Sequence, residues 1–216
     1  TIGIDVGLTH FAILSDGTNV DNPRFLKKTS AKLKKLQRSV SRKVKGSNNR
    51  KKAIRKLAQC HEDIANQRSD FLHKLSFTLV SENQAIAIED LNISGMVKNR
   101  RLAKHIADAS WSEFRSQLDY KCKKYGKTLL TIGRFDPSSK ICSHCGYHNK
   151  NLKLGDRMWI CSDCGSELDR DHNAAKNIKR FALLKQNTGQ GLPEEPVEIE
   201  SDIIDASINE SGSQRL

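Results

Sequence analysis

The chain is 216 residues long, with a formal net charge of +12 and six cysteines. That length suits one sizeable core with a small appendage. No run of 18 apolar residues occurs, which excludes a helical membrane span, and no secretory signal opens the chain. The charge is uneven: residues 186–216 hold seven acids and one base, so residues 1–185 carry 36 Lys+Arg against 18 Asp+Glu. A polyanion is the natural candidate for the partner of such a chain, with a solvated basic surface as the alternative reading.

The chain opens on TIGIDVG, with Ile2, Ile4 and Val6 on one face and Gly3, Asp5 and Gly7 on the other. This two-residue period predicts a half-buried strand. Because Thr1 stands where Met would, and Ile2 is already within the strand pattern, the reading at this point is a fragment lacking an N-terminal portion. HFAILSDG predicts a second strand ending in an Asp16-Gly17 turn, and a third is expected near Asn19 to Phe25.

Between Lys27 and Lys56 lie fourteen Lys or Arg and no acid. Leu33, Leu36, Val40 and Val44 recur at helical spacing, as do Ile54, Leu57, Ile64, Phe71, Leu75 and Leu79, and KGSNN interrupts the two series. The pattern predicts a helical hairpin at about 28–82, basic near its tip, with a long second arm.

NQAIAIEDL reads as a strand with Ile86 and Ile88 on one face. SWSEFRSQLDYKCKKYG predicts a helix buried along Trp111, Phe114, Leu118, Cys122 and Tyr125, opened by a Ser110/Glu113 capping box and ended at Gly126. KTLLTIGRF predicts a further strand, and a helix is expected from about His172 to Leu184, with Ala175, Ile178 and Leu184 inward. The tail from Gln186 is acidic and free of aromatics, and is expected to be disordered apart from a possible short helix over its isoleucines.

Cys142-x2-Cys145 and Cys161-x2-Cys164 are fifteen residues apart. Two such knuckles brought together by a hairpin offer four thiolates, a set suited to closed, tetrahedral, structural zinc in a reducing compartment. His144 reads as a bystander. Cys60 and Cys122 read as buried small hydrophobes.

Three carboxylates stand apart from the charged surface. Asp5 lies mid-strand between two glycines that permit close approach of another backbone or a ligand. Glu89 ends an apolar strand, where an uncompensated carboxylate is costly. Asp171 opens a helix, where capping alone would account for it. Taken singly, each has an ordinary structural explanation. Taken together, acids on two strands and a helix start can converge over the C-terminal edge of a mixed sheet. Mg²⁺ prefers such oxygen ligands, and two ions about 4 Å apart support phosphodiester hydrolysis.

The motif order GIDVG, IAIEDL, PSSKICSHCG with CSDCG, then DRDHNAAKNI resembles the TnpB (OrfB) family of insertion-sequence proteins, related to type V CRISPR effectors, over roughly residues 1–183. The resemblance implies an α/β, RNase H-like (RuvC) mixed sheet with flanking helices, a helical hairpin insertion and an inserted zinc ribbon. By its division, residues 1–140 hold the first two nuclease motifs, 141–166 the ribbon, 167–185 the last motif and its helix, and 186–216 the acidic tail. It implies an RNA-guided DNA endonuclease of a transposable element, with Asp5, Glu89 and Asp171 as catalytic acids binding Mg²⁺ or Mn²⁺ and Zn²⁺ on the cysteines. Asp169 is then a cap or a supporting group. Family members also carry an N-terminal wedge and recognition portion that grips guide RNA and target duplex.

Guide RNA and target DNA are the implied partners, and a prokaryotic, cytoplasmic, nucleoid-associated setting follows. Lys32, Lys34, Lys35, Arg38, Arg42, Lys43, Arg50, Lys51, Lys52 and Arg55 would meet phosphates of the guide–target hybrid. Arg100, Arg101 and Lys104, expected in a loop after Glu89, would guide a single strand toward the acids. The alternatives are a guide-dependent DNA-binding regulator that does not cut, a DNA transposase or recombinase, and a nuclease that resolves branched DNA without RNA.

Overall fold

The structure, a computed structural model, describes residues 1–153 and 155–188. The expectations for the tail beyond 188 lie outside the described residues. Among them, no helix is long and apolar enough to cross a membrane.

The chain starts with three strands, β1 (Ile2–Val6), β2 (His10–Leu14) and β3 (Asn19–Asp21). The turn between β2 and β3 is closed by Leu14 N–H donating to Thr18 O, with Gly17 at φ 94°. β3 is shorter than expected, because Pro23 cannot donate to the ladder and the chain turns into a helix at Phe25. Two helices form the hairpin, α1 (Phe25–Ser41) and α2 (Asn48–Glu82). The KGSNN break is a true turn: Gly46 takes φ 82°, and the Ser47 hydroxyl caps α2 by accepting from Arg50 N–H at 3.2 Å. At 35 residues α2 is about 52 Å long. Val44 and Ile54, expected inward, are exposed: Val44 lies in the turn past the end of α1, and on α2 it is Ala53, the neighbour of Ile54, that is buried.

β4 (Ala85–Glu89) follows, then two short helices, α3 (Ile93–Met96) and α4 (Ala103–Ala109), the longer α5 (Trp111–Lys124) and β5 (Thr128–Ile132). Trp111, Phe114, Leu118 and Cys122 are buried on α5, and Gly126, at φ 64°, follows its end. Tyr125 departs from the expected stripe, being exposed just past the last turn, where it meets Phe77 edge-on. The capping box does not form either. Ser110 sits at φ 54° and its hydroxyl donates to Ala107 O, so the side chain closes α4 rather than opening α5. A two-stranded hairpin, β6 (Met158–Ile160) with β7 (Glu167–Asp169), and the last helix, α6 (Arg170–Thr188), complete the described chain.

The main sheet runs β3-β2-β1-β4-β5. β2 is antiparallel to both neighbours, while β1, β4 and β5 are mutually parallel, so the sheet is mixed. One face, carrying Ile2, Ile4, Ile86 and Ile88 with Phe11, packs on α2 and α5 through Leu72, Leu79, Val80, Phe114 and Leu118. Phe11 meets Phe71 and Phe114 edge-to-face, each at 5.2 Å between centroids. The opposite face carries Ala87 and Ile132 and is covered by α6 through Ile178, Phe181 and Ala182. Helix α6 lies directly on the strands. A β-carbon added at Gly3 would stand 2.2 Å from Ala175 O and 2.8 Å from Lys179 Cβ. The glycine before Asp5 is what lets this helix reach the sheet.

Candidate functional site: a carboxylate pocket beside a four-cysteine module

Strand alternation carries the argument from Gly3 to the site. Gly3 and Asp5 share a face, as do Ala87 and Glu89. β1 and β4 are parallel neighbours in register Ile4↔Ile88, so Asp5 and Glu89 each lie one residue beyond that pair, at the C-terminal ends of adjacent strands. On α6, Asp171 lies four residues before Ala175, the residue pressed on Gly3, and therefore one turn closer to those strand ends. The three carboxylates line a single cavity of about 820 Å³.

The electrostatics follow from that crowding. Desolvation, then the charges of Asp171 and Glu89, push Asp5 up to about 8. Glu89 is raised to about 7 by desolvation, then by Asp136 and Asp90. A site that holds acids partly protonated near neutrality favours any cation that can neutralise them. In this chain the cations nearest Asp171 are arginines: Arg157 Nη1 reaches Oδ2 at 2.7 Å and Arg170 Nη2 reaches Oδ1 at 2.8 Å. Asp169 caps α6 by accepting from His172 N–H at 2.8 Å. Asp90, next to Glu89, points elsewhere and pairs with Arg115 and Arg134, whose hydrogen bonds hold it below the usual range.

Cys142, Cys145, Cys161 and Cys164 form the second centre, their sulfurs all within 4.8 Å of one another. Cys142 and Cys164 are 3.7 Å apart and Cys145 and Cys161 3.5 Å. A zinc tetrahedron with bonds of about 2.3 Å needs sulfur separations of about 3.8 Å, so the donor set fits zinc. His144 contributes no ligand and stands 3.4 Å from the Ser166 hydroxyl. Among the described residues this is the one metal-competent cluster so compact. Asp5, Glu89 and Asp171 do not form a cluster of that compactness.

The two centres are mechanically joined. Asn173, buried on α6, accepts from Ser143 N–H at 2.8 Å and donates to Ile141 O at 2.7 Å. One turn on, buried Asn177 donates to Ser138 O at 2.8 Å and Ile141 O at 2.6 Å. The helix that carries Asp171 thus grips the segment entering the first cysteine knuckle. Arg170 N–H donates to Arg157 O at 2.8 Å, which ties the second hairpin to the same helix.

The thirteen bases singled out in the sequence are placed differently. None lines the cavity. Lys32, Lys34, Lys35, Arg38, Arg42, Lys51, Lys52 and Arg55 are exposed on the helical hairpin, with Lys43 and Arg50 half-buried. Arg100 and Arg101 are exposed in a turn, but Lys104 is on α4 rather than in a loop, and from this stretch Leu102 is what reaches the cavity. Instead the cavity wall holds Arg134, Lys140, Arg157 and Arg170, with Asp136 and His148. Burial, then Lys150 and Lys140, lowers the His148 pKa and favours its neutral form. Sequence reading missed these residues because all but Arg170, which opens α6, reach the cavity from a loop or from the cysteine module. The one available signal was Arg170, wedged between two aspartates in DRDHN.

Comparison with known proteins adds an independent line. Residues 1–100 match the model of the OrfB_IS605 family, described as "Probable transposase", and residues 111–178 match the Cas12f1-like TNB domain. A Streptomyces pristinaespiralis protein named "Putative RNA-guided DNA endonuclease" is 50% identical over 88% of this chain and 47% of its own length. The Escherichia coli K12 protein "Putative RNA-guided DNA endonuclease InsQ" is 37% identical over 92% of this chain and 54% of its own. The chain therefore spans about half the length of the curated relatives it matches. A cryo-EM structure of a CRISPR-Cas12f ternary complex shares the fold, with TM-score 0.63 at 20% identity over 82% of this chain and 38% of that one.

Proposed function

This chain belongs to the TnpB (OrfB) family, and from that premise we propose that it is the catalytic portion of an RNA-guided DNA endonuclease with a RuvC-type, RNase H-like core. Under this reading residues 1–140 and 167–185 form the nuclease domain, 141–166 form an inserted zinc ribbon, and 28–82 form a basic hairpin insertion. The observation that carries it is the meeting of Asp5, Glu89 and Asp171 in one cavity at the ends of two parallel strands and one helix.

Asp5, Glu89 and Asp171 would hold Mg²⁺ or Mn²⁺, and Cys142, Cys145, Cys161 and Cys164 would hold Zn²⁺ as a structural ion. Bound divalent ions supply an activated water and charge stabilisation at the phosphate. The chain's own part is positional. β1 and β4 fix two carboxylates side by side, and α6, pressed on Gly3, aims the third. Lys140, Arg157 and Arg170 line the wall where a phosphodiester would lie and offset its charge. The relatives' names support guide RNA and DNA as partners. Exposed bases along α1 and the start of α2 suit phosphates of a guide–target hybrid, and binding should weaken steeply with salt.

Mn²⁺-soaked crystals test the reading by anomalous scattering, with the zinc edge marking the cysteines. Manganese among the three acids is the expected result. Zinc at the cysteines with no manganese at the acids would favour a guide-dependent DNA-binding regulator that does not cut. Products that are cut but never rejoined, and that form only with a guide, separate the nuclease from a transposase, a recombinase or an RNA-independent nuclease of branched DNA.

A further inference from the structure

Phe135 has the greatest exposure, 91%, of the large apolar residues that stand out from the described surface. Leaving a phenyl ring in water forfeits about 2 kcal/mol that burial would return, so an isolated case is unremarkable but a positioned one is informative. This ring is positioned. Gly133 N–H donates to Asp136 Oδ2 at 2.7 Å, Asp136 N–H returns to Gly133 O at 3.1 Å, and Ser138 N–H donates to Asp136 O at 2.7 Å. Arg134, the preceding residue, is anchored to Asp90 at 3.0 Å. A turn pinned on both sides and followed by Pro137 therefore presents the ring outward, at the rim of the cavity that Asp5, Glu89 and Asp171 line.

That cavity sets a problem for a nucleic-acid strand. Lys140, Arg157 and Arg170 on its wall can offset phosphate charge, but such backbone contacts are alike at every nucleotide and do not fix which phosphate lies over the acids. A base stacked at the rim supplies that fixed point, since every base offers an apolar face. Stacking is also indifferent to sequence, which suits a site whose targets are chosen by pairing elsewhere. We propose that Phe135 stacks on a nucleobase of the single DNA strand presented to the carboxylates and fixes which phosphate lies over them. It is a positioning residue, and its role rests on reading the cavity as a DNA-cutting site.

The full 216-residue chain, loaded with Ca²⁺ to occupy the acids without turnover, is titrated with a 12-nucleotide single strand carrying 2-aminopurine. An abasic strand with the same number of phosphates serves as the control. Phe135→Ala is expected to weaken binding of the base-bearing strand by about fivefold to a hundredfold and to abolish the quenching of 2-aminopurine. Phe135→Trp should retain both, and the abasic strand should bind wild type and Phe135→Ala alike. Equal loss on both strands, or no loss on either, overturns the inference, as does a wild-type chain that does not bind the strand. Mn²⁺ binding followed by electron paramagnetic resonance separates the two levels. Manganese bound at the acids with binding insensitive to Phe135→Ala overturns this role alone. No manganese at the acids overturns both the cutting site and the role that depends on it.

Discussion

Arg157 reaches out of the cysteine-bearing hairpin to Asp171, Nη1 to Oδ2 at 2.7 Å, and so connects the four-cysteine module to a carboxylate of the proposed nuclease site. The pair is only partly shielded, so its net worth is about 0–1 kcal/mol. Its position matters more than its strength, because the guanidinium occupies an oxygen that a divalent ion needs. Arg157→Gln is expected to raise Mn²⁺ affinity by about twofold to fivefold while leaving thermal stability nearly unchanged. Isothermal titration with Mn²⁺ at low ionic strength reads this directly. Weaker binding in the variant would mean that Arg157 orients Asp171 for the ion rather than competing with it.

Asp5 and Glu89 give the metal-free chain an inverted pH dependence. Both have folded values raised by burial, to about 8 and about 7, above the ordinary carboxylate range. Between the unfolded and folded values the native state binds more protons than the unfolded one, so stability falls as pH rises. Melting temperature without divalent ions should therefore drop from pH 5 to pH 8. Added Mn²⁺ should restore it most at pH 8, where its binding displaces the fewest protons. Asp5→Asn removes the larger shift, so it should flatten the profile and raise the metal-free melting temperature at pH 8. A profile that rises with pH, or that Asp5→Asn leaves unaltered, contradicts the assignment.

The same residues show what the sequence could and could not reveal. β1 and β4 were legible because Ile2/Ile4 and Ile86/Ile88 alternate, and the hairpin because its apolar series breaks at a glycine. The four cysteines were legible because their spacing is itself the geometry. Val44 misled because α1 ends at Ser41, before the apolar series does, and Ile54 because helical periodicity marks a face without telling whether anything covers it. Ser110 and Glu113 matched a capping box, yet the tight α4–α5 junction forces Ser110 to φ 54° and spends its hydroxyl on Ala107. The cavity wall was hidden for a different reason. Arg134, Lys140 and Arg157 arrive there through loop paths and module docking, and no local pattern encodes those.

Gly3 is an exacting position for a reason unrelated to backbone conformation. Any β-carbon there would meet the carbonyl oxygen of Ala175 at 2.2 Å, and that backbone cannot yield without moving α6. Gly3→Ala should cost about 3 kcal/mol and displace Asp171 from Asp5. Urea denaturation gives the first quantity. The second appears as Mn²⁺ affinity lost in a chain that is still folded by circular dichroism. An alanine variant with unaltered stability would mean that α6 does not pack on β1 this closely.

The clasp at Asn173 and Asn177 predicts that the cysteine module and the carboxylate pocket fail together. Asn177→Leu keeps the volume but leaves the carbonyls of Ser138 and Ile141 without their amide donor, at a cost of about 2–4 kcal/mol. Asn177→Asp should cost more, since it sets a carboxylate against the same two oxygens. Stripping zinc with a chelator should loosen the clasp from the other side. Amide exchange should then accelerate first at Ser143, whose N–H donates to Asn173 at 2.8 Å, and afterwards in the first turn of α6 around Asp171. The same treatment should lower Mn²⁺ affinity at the acids, although no cysteine touches them. Mass-spectrometric hydrogen exchange before and after zinc removal tests the coupling. Exchange confined to 141–166, with Mn²⁺ binding intact, would show the two centres to be independent.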